Sequence, residues 1–150
     1  MKICLASDHR GYTLKEELVN YLNDKYYVID LGTYSTDSVD YTKYGFLVGE
    51  KVRDKECDFG IVICGTGIGI SIACNKVKGI RCAKVNSVED AILTRKDNDA
   101  NVISLDGKTD RNYAIEIVDA FLKTEFANLD RYIKRIDDIR KYENGEYCDN

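Results

Sequence analysis

The sequence predicts an α/β fold: a Rossmann-like three-layer sandwich in which a five-stranded parallel sheet lies between helices, with a further helix at the C-terminus. Three observations predict it. Short β-branched runs alternate along the chain with segments whose apolar residues recur at helical spacing. Each of five such runs is followed by a helical segment, the order that builds a parallel sheet through right-handed crossovers. One run, residues 59–63, passes directly into Cys64-Gly-Thr-Gly-Ile-Gly, a glycine turn opening a helix.

The elements follow in order. Residues 2–6 form a first strand. Residues 13–22 carry apolar side chains at 14, 18, 21 and 22, a helical stripe. A second strand, 27–31, ends at Gly32, and 44–52 is helical with 44, 47, 48 and 52 on one face. The third strand, 59–63, precedes a helix over 67–75. Strands at 80–85 and 102–105 flank a helix over 87–96, where Ser87 and Asp90 resemble a capping box with Asp in place of Glu. Helices over 113–122 and 132–139 complete the pattern, the last of them basic.

Composition narrows the function. A chain of 150 residues, 32% charged and 44% hydrophobic, is expected to form one domain over 1–150, with a polar tail fraying from about residue 142. Its net charge of −4 argues against general nucleic-acid binding. No apolar run approaches the ~20 residues of a membrane span, and the N-terminus enters a strand instead of a signal peptide. Six cysteines without paired metal-ligand spacing, beside one histidine, predict free thiols, no metal site and a cytoplasmic protein.

Parallel crossovers put every strand C-terminus on one edge, where ligands bind at the point at which the winding reverses. Ser7-Asp8-His9, Cys64 to Gly69 and Asn86-Ser87 all fall there. If strands one and three are neighbours, Asp8, His9 and Cys64 meet. Backbone N–H groups and a helix dipole then surround a concave anion site with a thiol at its mouth. A cysteine at a strand end is most often a small buried hydrophobe. Here Thr66 between the glycines and the Asp8-His9 pair favour a thiolate acting as base or nucleophile.

Together these pieces resemble the type B ribose-5-phosphate isomerases, a group that also contains the galactose-6-phosphate isomerase subunits. The matching segments are Ser7-Asp8-His9-x-Gly11, Val28-Ile29-Asp30-x-Gly32-Thr33, Val39-Asp40-Tyr41, the run from Gly60 to Ser71, Asn75-Lys76-Val77-x-Gly79-Ile80-Arg81 and Asn98-Asp99-Ala100-Asn101-Val102. The resemblance implies aldose–ketose isomerisation of a small-molecule sugar phosphate through an enediolate, with no metal or organic cofactor. It makes Cys64 the base, with the amides of Gly65, Gly67, Ile68 and Gly69 and the Thr66 hydroxyl holding the enediolate oxygens. Asp8, Tyr41 and Asn98 match positions that contact sugar hydroxyls; on pattern alone Tyr41 reads as a packed loop aromatic. His9, Lys108, Arg131 and Arg135 match phosphate contacts, the two arginines coming from a second subunit of a homodimer or tetramer with a shared active site. Spacing alone leaves those arginines equally compatible with a solvated basic helix face.

Three positions depart from the pattern. Asp97 stands where the group commonly has the histidine assigned to ring opening, so ring opening rests on Asp97 acting as base, on another group, or on spontaneous opening. Ala127 to Asp130 replaces a usual glycine pair, with an apparent extra residue before Arg131, and Thr42 replaces proline. Ribose-5-phosphate is the expected substrate. A hexose 6-phosphate (galactose- or allose-6-phosphate) is the alternative, followed by a non-catalytic sugar-phosphate or nucleotide binder and a redox-sensing thiol protein, which would need a resolving partner such as Cys74 or Cys82.

Overall fold

A computed structural model describes residues 1–149; the last residue of the predicted tail lies outside them. The elements are β1 (Lys2–Ser7), α1 (Tyr12–Asn23), β2 (Tyr27–Asp30), α2 (Tyr41–Arg53), β3 (Phe59–Cys64), α3 (Ile68–Asn75), β4 (Cys82–Lys84), α4 (Val88–Asn98), β5 (Val102–Asp106), α5 (Arg111–Lys123) and α6 (Asp130–Glu143). The strands form one sheet of order β2-β1-β3-β5-β4, every pairing parallel. The chain winds outward from β1 to β2 and returns to place β3 on the other side of β1. The winding therefore reverses between β1 and β3, with Ser7 in register with Ile63 at the carboxyl edge.

Alternation along the strands separates two cores. Ile3, Leu5, Ile61, Ile63, Ile103 and Leu105 face α1, α4 and α5, where they meet Leu14, Leu18, Ile117 and Phe121. Cys4, Ala6, Val62 and Cys64 face α2 and α3, where they meet Val48, Val52, Ile70 and Cys74. Each fully buried branched side chain contributes about 1.5–3 kcal/mol by leaving water. Five of the six thiols are buried or half-buried, and all six are free. Two of them are held protonated: a hydrogen bond with Cys57, then burial, pushes Cys4 far up, and Cys74 with burial does the same to Cys82.

Boundaries differ from expectation where local contacts override periodicity. Helix α2 begins at Tyr41, three residues before the predicted start, because its first turn faces the site and carries no core stripe. Strand β4 keeps only three residues. Before it, Ile80 N–H turns back to Val77, and Arg81 N–H goes to the Asn101 side chain at 2.9 Å. Ser87 caps α4 as predicted, accepting from Asp90 N–H at 3.0 Å, while the Asp90 carboxylate reaches Asn86 N–H. Helix α6 continues past residue 142 and buries none of its residues. Its Ile133 and Ile139 are 42% and 48% exposed.

Candidate active site

The pocket opens at the winding reversal. It is lined by Asp8, His9 and Arg10 from the β1–α1 turn, Ser38 to Tyr41 from the approach to α2, and Cys64, Gly65, Thr66 and Gly69 from the β3–α3 turn. Each segment reaches it for a local reason. Asp8 Oδ1 accepts from the N–H groups of Arg10 at 2.9 Å and Gly11 at 3.1 Å, closing the turn and leaving Oδ2 for a ligand. His9 Nδ1 accepts Val39 N–H at 3.2 Å; with that assignment the ring proton sits on Nε2, the nitrogen left for a ligand. The same contact ties the loop before α2 to the β1–α1 turn. The Tyr41 ring stands against Gly69, where any Cβ would meet Tyr41 Cζ at 2.6 Å, so a side chain at 69 would have to displace that ring.

Cys64 is the last residue of β3 and only 4% exposed. Its Sγ accepts the Gly67 N–H at 3.1 Å. Gly67 has φ +76°, a left-handed conformation, and its carbonyl accepts the buried Ser104 hydroxyl. Thr66 Oγ1 accepts Ile68 N–H at 3.1 Å, which frees the threonine proton for donation outward. Two of the amides expected to hold substrate oxygen, Gly67 and Ile68, are thus engaged inside the turn. Gly65, Thr66 and Gly69 N–H groups have no partner among the described residues and line the pocket.

Four expected site residues lie elsewhere in this chain. Asp97 and Asn98 end α4, just before Asn101, whose carbonyl accepts Gly60 N–H at the amino edge of the sheet. Four residue steps along β3 separate Gly60 from Cys64, roughly 13 Å. Asn98 is exposed beside Arg81, Ile139 and Glu143. Arg131 and Arg135 are exposed on α6, whose Glu143 accepts Gly79 N–H at 3.0 Å near the same edge. Within a single chain Asp97 and Asn98 therefore lie away from Cys64: a βα crossover returns the helix end to the opposite edge. Lys108 is at the carboxyl edge, exposed just beyond β5, with its N–H on Asp106 Oδ1 at 2.7 Å. Residue pattern passed over Arg10 and Lys84. Arg10 directly follows the Asp8-His9 pair, which was signal enough; the Lys84 stem runs beside Gly67, a contact only the fold creates.

Among the described residues, no three His, Cys, Asp or Glu side chains are placed to hold a metal ion. No helix is long and apolar enough to cross a membrane. What the arrangement can do is acid–base chemistry on an anionic, hydroxylated ligand. A sulfur held by a backbone N–H stands beside free amides, a hydroxyl proton, an imidazole and a carboxylate oxygen.

Fold and site thus define an α/β protein with a thiol-bearing glycine turn at the winding reversal. The Ribose/Galactose Isomerase family model matches residues 3–139, and the chain belongs to that family of aldose–ketose isomerases. It is 40% identical over 144 residues to ribose-5-phosphate isomerase B of Escherichia coli, covering 95% of this chain and 96% of that one. A structure of ribose-5-phosphate isomerase B from Clostridium thermocellum superposes with a TM-score of 0.94 at 46% identity, over 97% of this chain and 99% of that one. A third relative, from Mycoplasma genitalium, was solved with bound ribulose-5-phosphate; its TM-score is 0.90 at 43% identity, over 95% and 96% of the two chains.

Proposed function

We propose that this chain interconverts ribose-5-phosphate and ribulose-5-phosphate, with Cys64 as the base. The observation that carries this reading is the Cys64 sulfur, placed beside unpaired amides in a pocket that also holds His9 and the free oxygen of Asp8. In the open-chain aldose, the Cys64 thiolate removes the proton from C2. The C2 electron pair forms the C1–C2 double bond, and the carbonyl π pair moves onto O1. The amides of Gly65, Thr66 and Gly69 and the Thr66 hydroxyl meet that developing oxyanion, a role worth on the order of 3–4 kcal/mol per donor. Transfer of the hydroxyl proton from O2 to O1 and return of the Cys64 proton to C1 complete the ketose. Asp8 and Tyr41 meet the sugar hydroxyls, and His9 and Lys108 face the phosphate.

Asp97, Asn98, Arg131 and Arg135 belong to this reaction only if a second copy brings its amino edge to the pocket. We therefore infer a homodimer, or a tetramer built from it, with a shared active site. The unburied α6 supports this, because Ile133, Ile139 and both arginines stand exposed on it. Free thiols throughout fit a reducing compartment, and we place the enzyme in the cytoplasm. Initial rates with ribose-5-phosphate, galactose-6-phosphate and allose-6-phosphate test the substrate. The reading expects the pentose to turn over fastest; a faster hexose would transfer the assignment, and no turnover of any would leave a binding module.

A further inference from the structure

The geometry points to Arg10 as a phosphate-binding residue of the pocket, supplied by the same chain as Cys64. This rests on the sugar-phosphate reading above and names one group that recognises the anionic end. Arg10 is exposed, yet its side chain folds back over the catalytic turn: a Cβ on Gly65 would stand 2.8 Å from Arg10 Cδ and 3.3 Å from Nη1. Glycine at 65 is what lets the arginine lie there. Its guanidinium has no ion pair or hydrogen bond among the described residues, although the backbone N–H of Arg10 is fixed to Asp8 at 2.9 Å.

Cys64 Sγ takes the Gly67 N–H, and Arg10 lies against Gly65 in the same pocket. The Arg10 carbonyl takes the place that a Cβ on Gly107 would need, which brings Lys108 next to it in the fold. Arg10 and Lys108 therefore make a cationic rim from two adjacent turns, beside a pocket that also carries His9 and the Asp8 and Asp40 carboxylates. An anion entering past those carboxylates needs that rim. Lys108 offers a point charge; the planar fork of Arg10 can give two parallel N–H donors to phosphate oxygens.

The test uses inorganic phosphate as the probe, titrated calorimetrically into wild type, Arg10→Met and Arg10→Lys. Arg10→Met should weaken phosphate about tenfold, as loss of a charge-assisted contact does, and Arg10→Lys should fall between. The Michaelis constant for ribose-5-phosphate should rise in parallel, by more than any fall in kcat. Equal phosphate affinity in wild type and Arg10→Met, with matched thermal unfolding, overturns the inference; so does a wild type that binds no phosphate. Failure of the isomerase reading is separate: Arg10-dependent phosphate binding without ribose-5-phosphate turnover would keep the anion contact and remove the substrate.

Discussion

The Gly67 N–H donates to the Cys64 sulfur at 3.1 Å, across a turn that only a left-handed residue 67 can close. A methyl group at 67 would meet the Leu105 backbone at 2.8 Å and force φ out of +76°. Gly67→Ala should therefore cost about 1–3 kcal/mol of stability. Misplacing the base should lower turnover about a hundredfold. Urea midpoints and initial rates check the two together; an alanine variant of ordinary stability and rate would show that the turn is not constrained.

Arg135 and Cys64 lie near opposite edges of one chain, which makes subunit complementation informative. Cys64→Ala and Arg135→Ala should each be impaired alone. Dissociated and reassembled as an equal mixture, half of the dimers are hybrids and each hybrid has one intact site. About a quarter of wild-type activity should return. A mixture no more active than its parents would place the arginine outside the shared site.

Asp97→His should raise the rate with ring-closed ribose-5-phosphate, because imidazole both donates and accepts protons near neutral pH. An increase of about tenfold is expected of a newly supplied acid. Initial rates before and after mutation measure it, and an unchanged rate would show that ring opening does not depend on position 97.

These site assignments were only partly legible in the sequence. Cys64, Thr66, Asp8, His9 and Gly69 could be brought together on paper because each follows a strand, and parallel crossovers send strand ends to one edge. Tyr41 was harder: it begins α2, but its ring meets Gly69 instead of the core, so no apolar stripe announces the helix there. Which amides are free was not legible at all, since Gly67 and Ile68 are claimed by the side chains of Cys64 and Thr66. Where Asp97 and Asn98 lie relative to Cys64 was not legible either, for a topological reason. A motif contiguous in sequence ends a helix, and the helix carries it to the far edge of the sheet.

Lys15 is fully buried on α1 and ion-paired to Asp30 at 2.7 Å, with the Tyr12 and Tyr34 rings 5.6 and 5.4 Å away. Asp30 also accepts Gly32 N–H at 3.0 Å, so the pair anchors the start of the loop that leads to the pocket. Lys15→Met leaves that carboxylate without its cation and should destabilise the fold by about 3 kcal/mol. Chemical denaturation measures it. A loss well below 1 kcal/mol would mean that the pair contributes little beyond packing.

The central claim is that the Cys64 sulfur carries the proton between C1 and C2, and isomerisation in deuterated water tests it most directly. Wild type should convert ribose-5-phosphate to ribulose-5-phosphate with solvent deuterium appearing at the transferred position to the extent that the thiol exchanges. Cys64→Ala should bind ribose-5-phosphate, form no ketose and incorporate no deuterium. Turnover by Cys64→Ala at a rate near wild type would contradict the account and assign the base to another residue of the pocket.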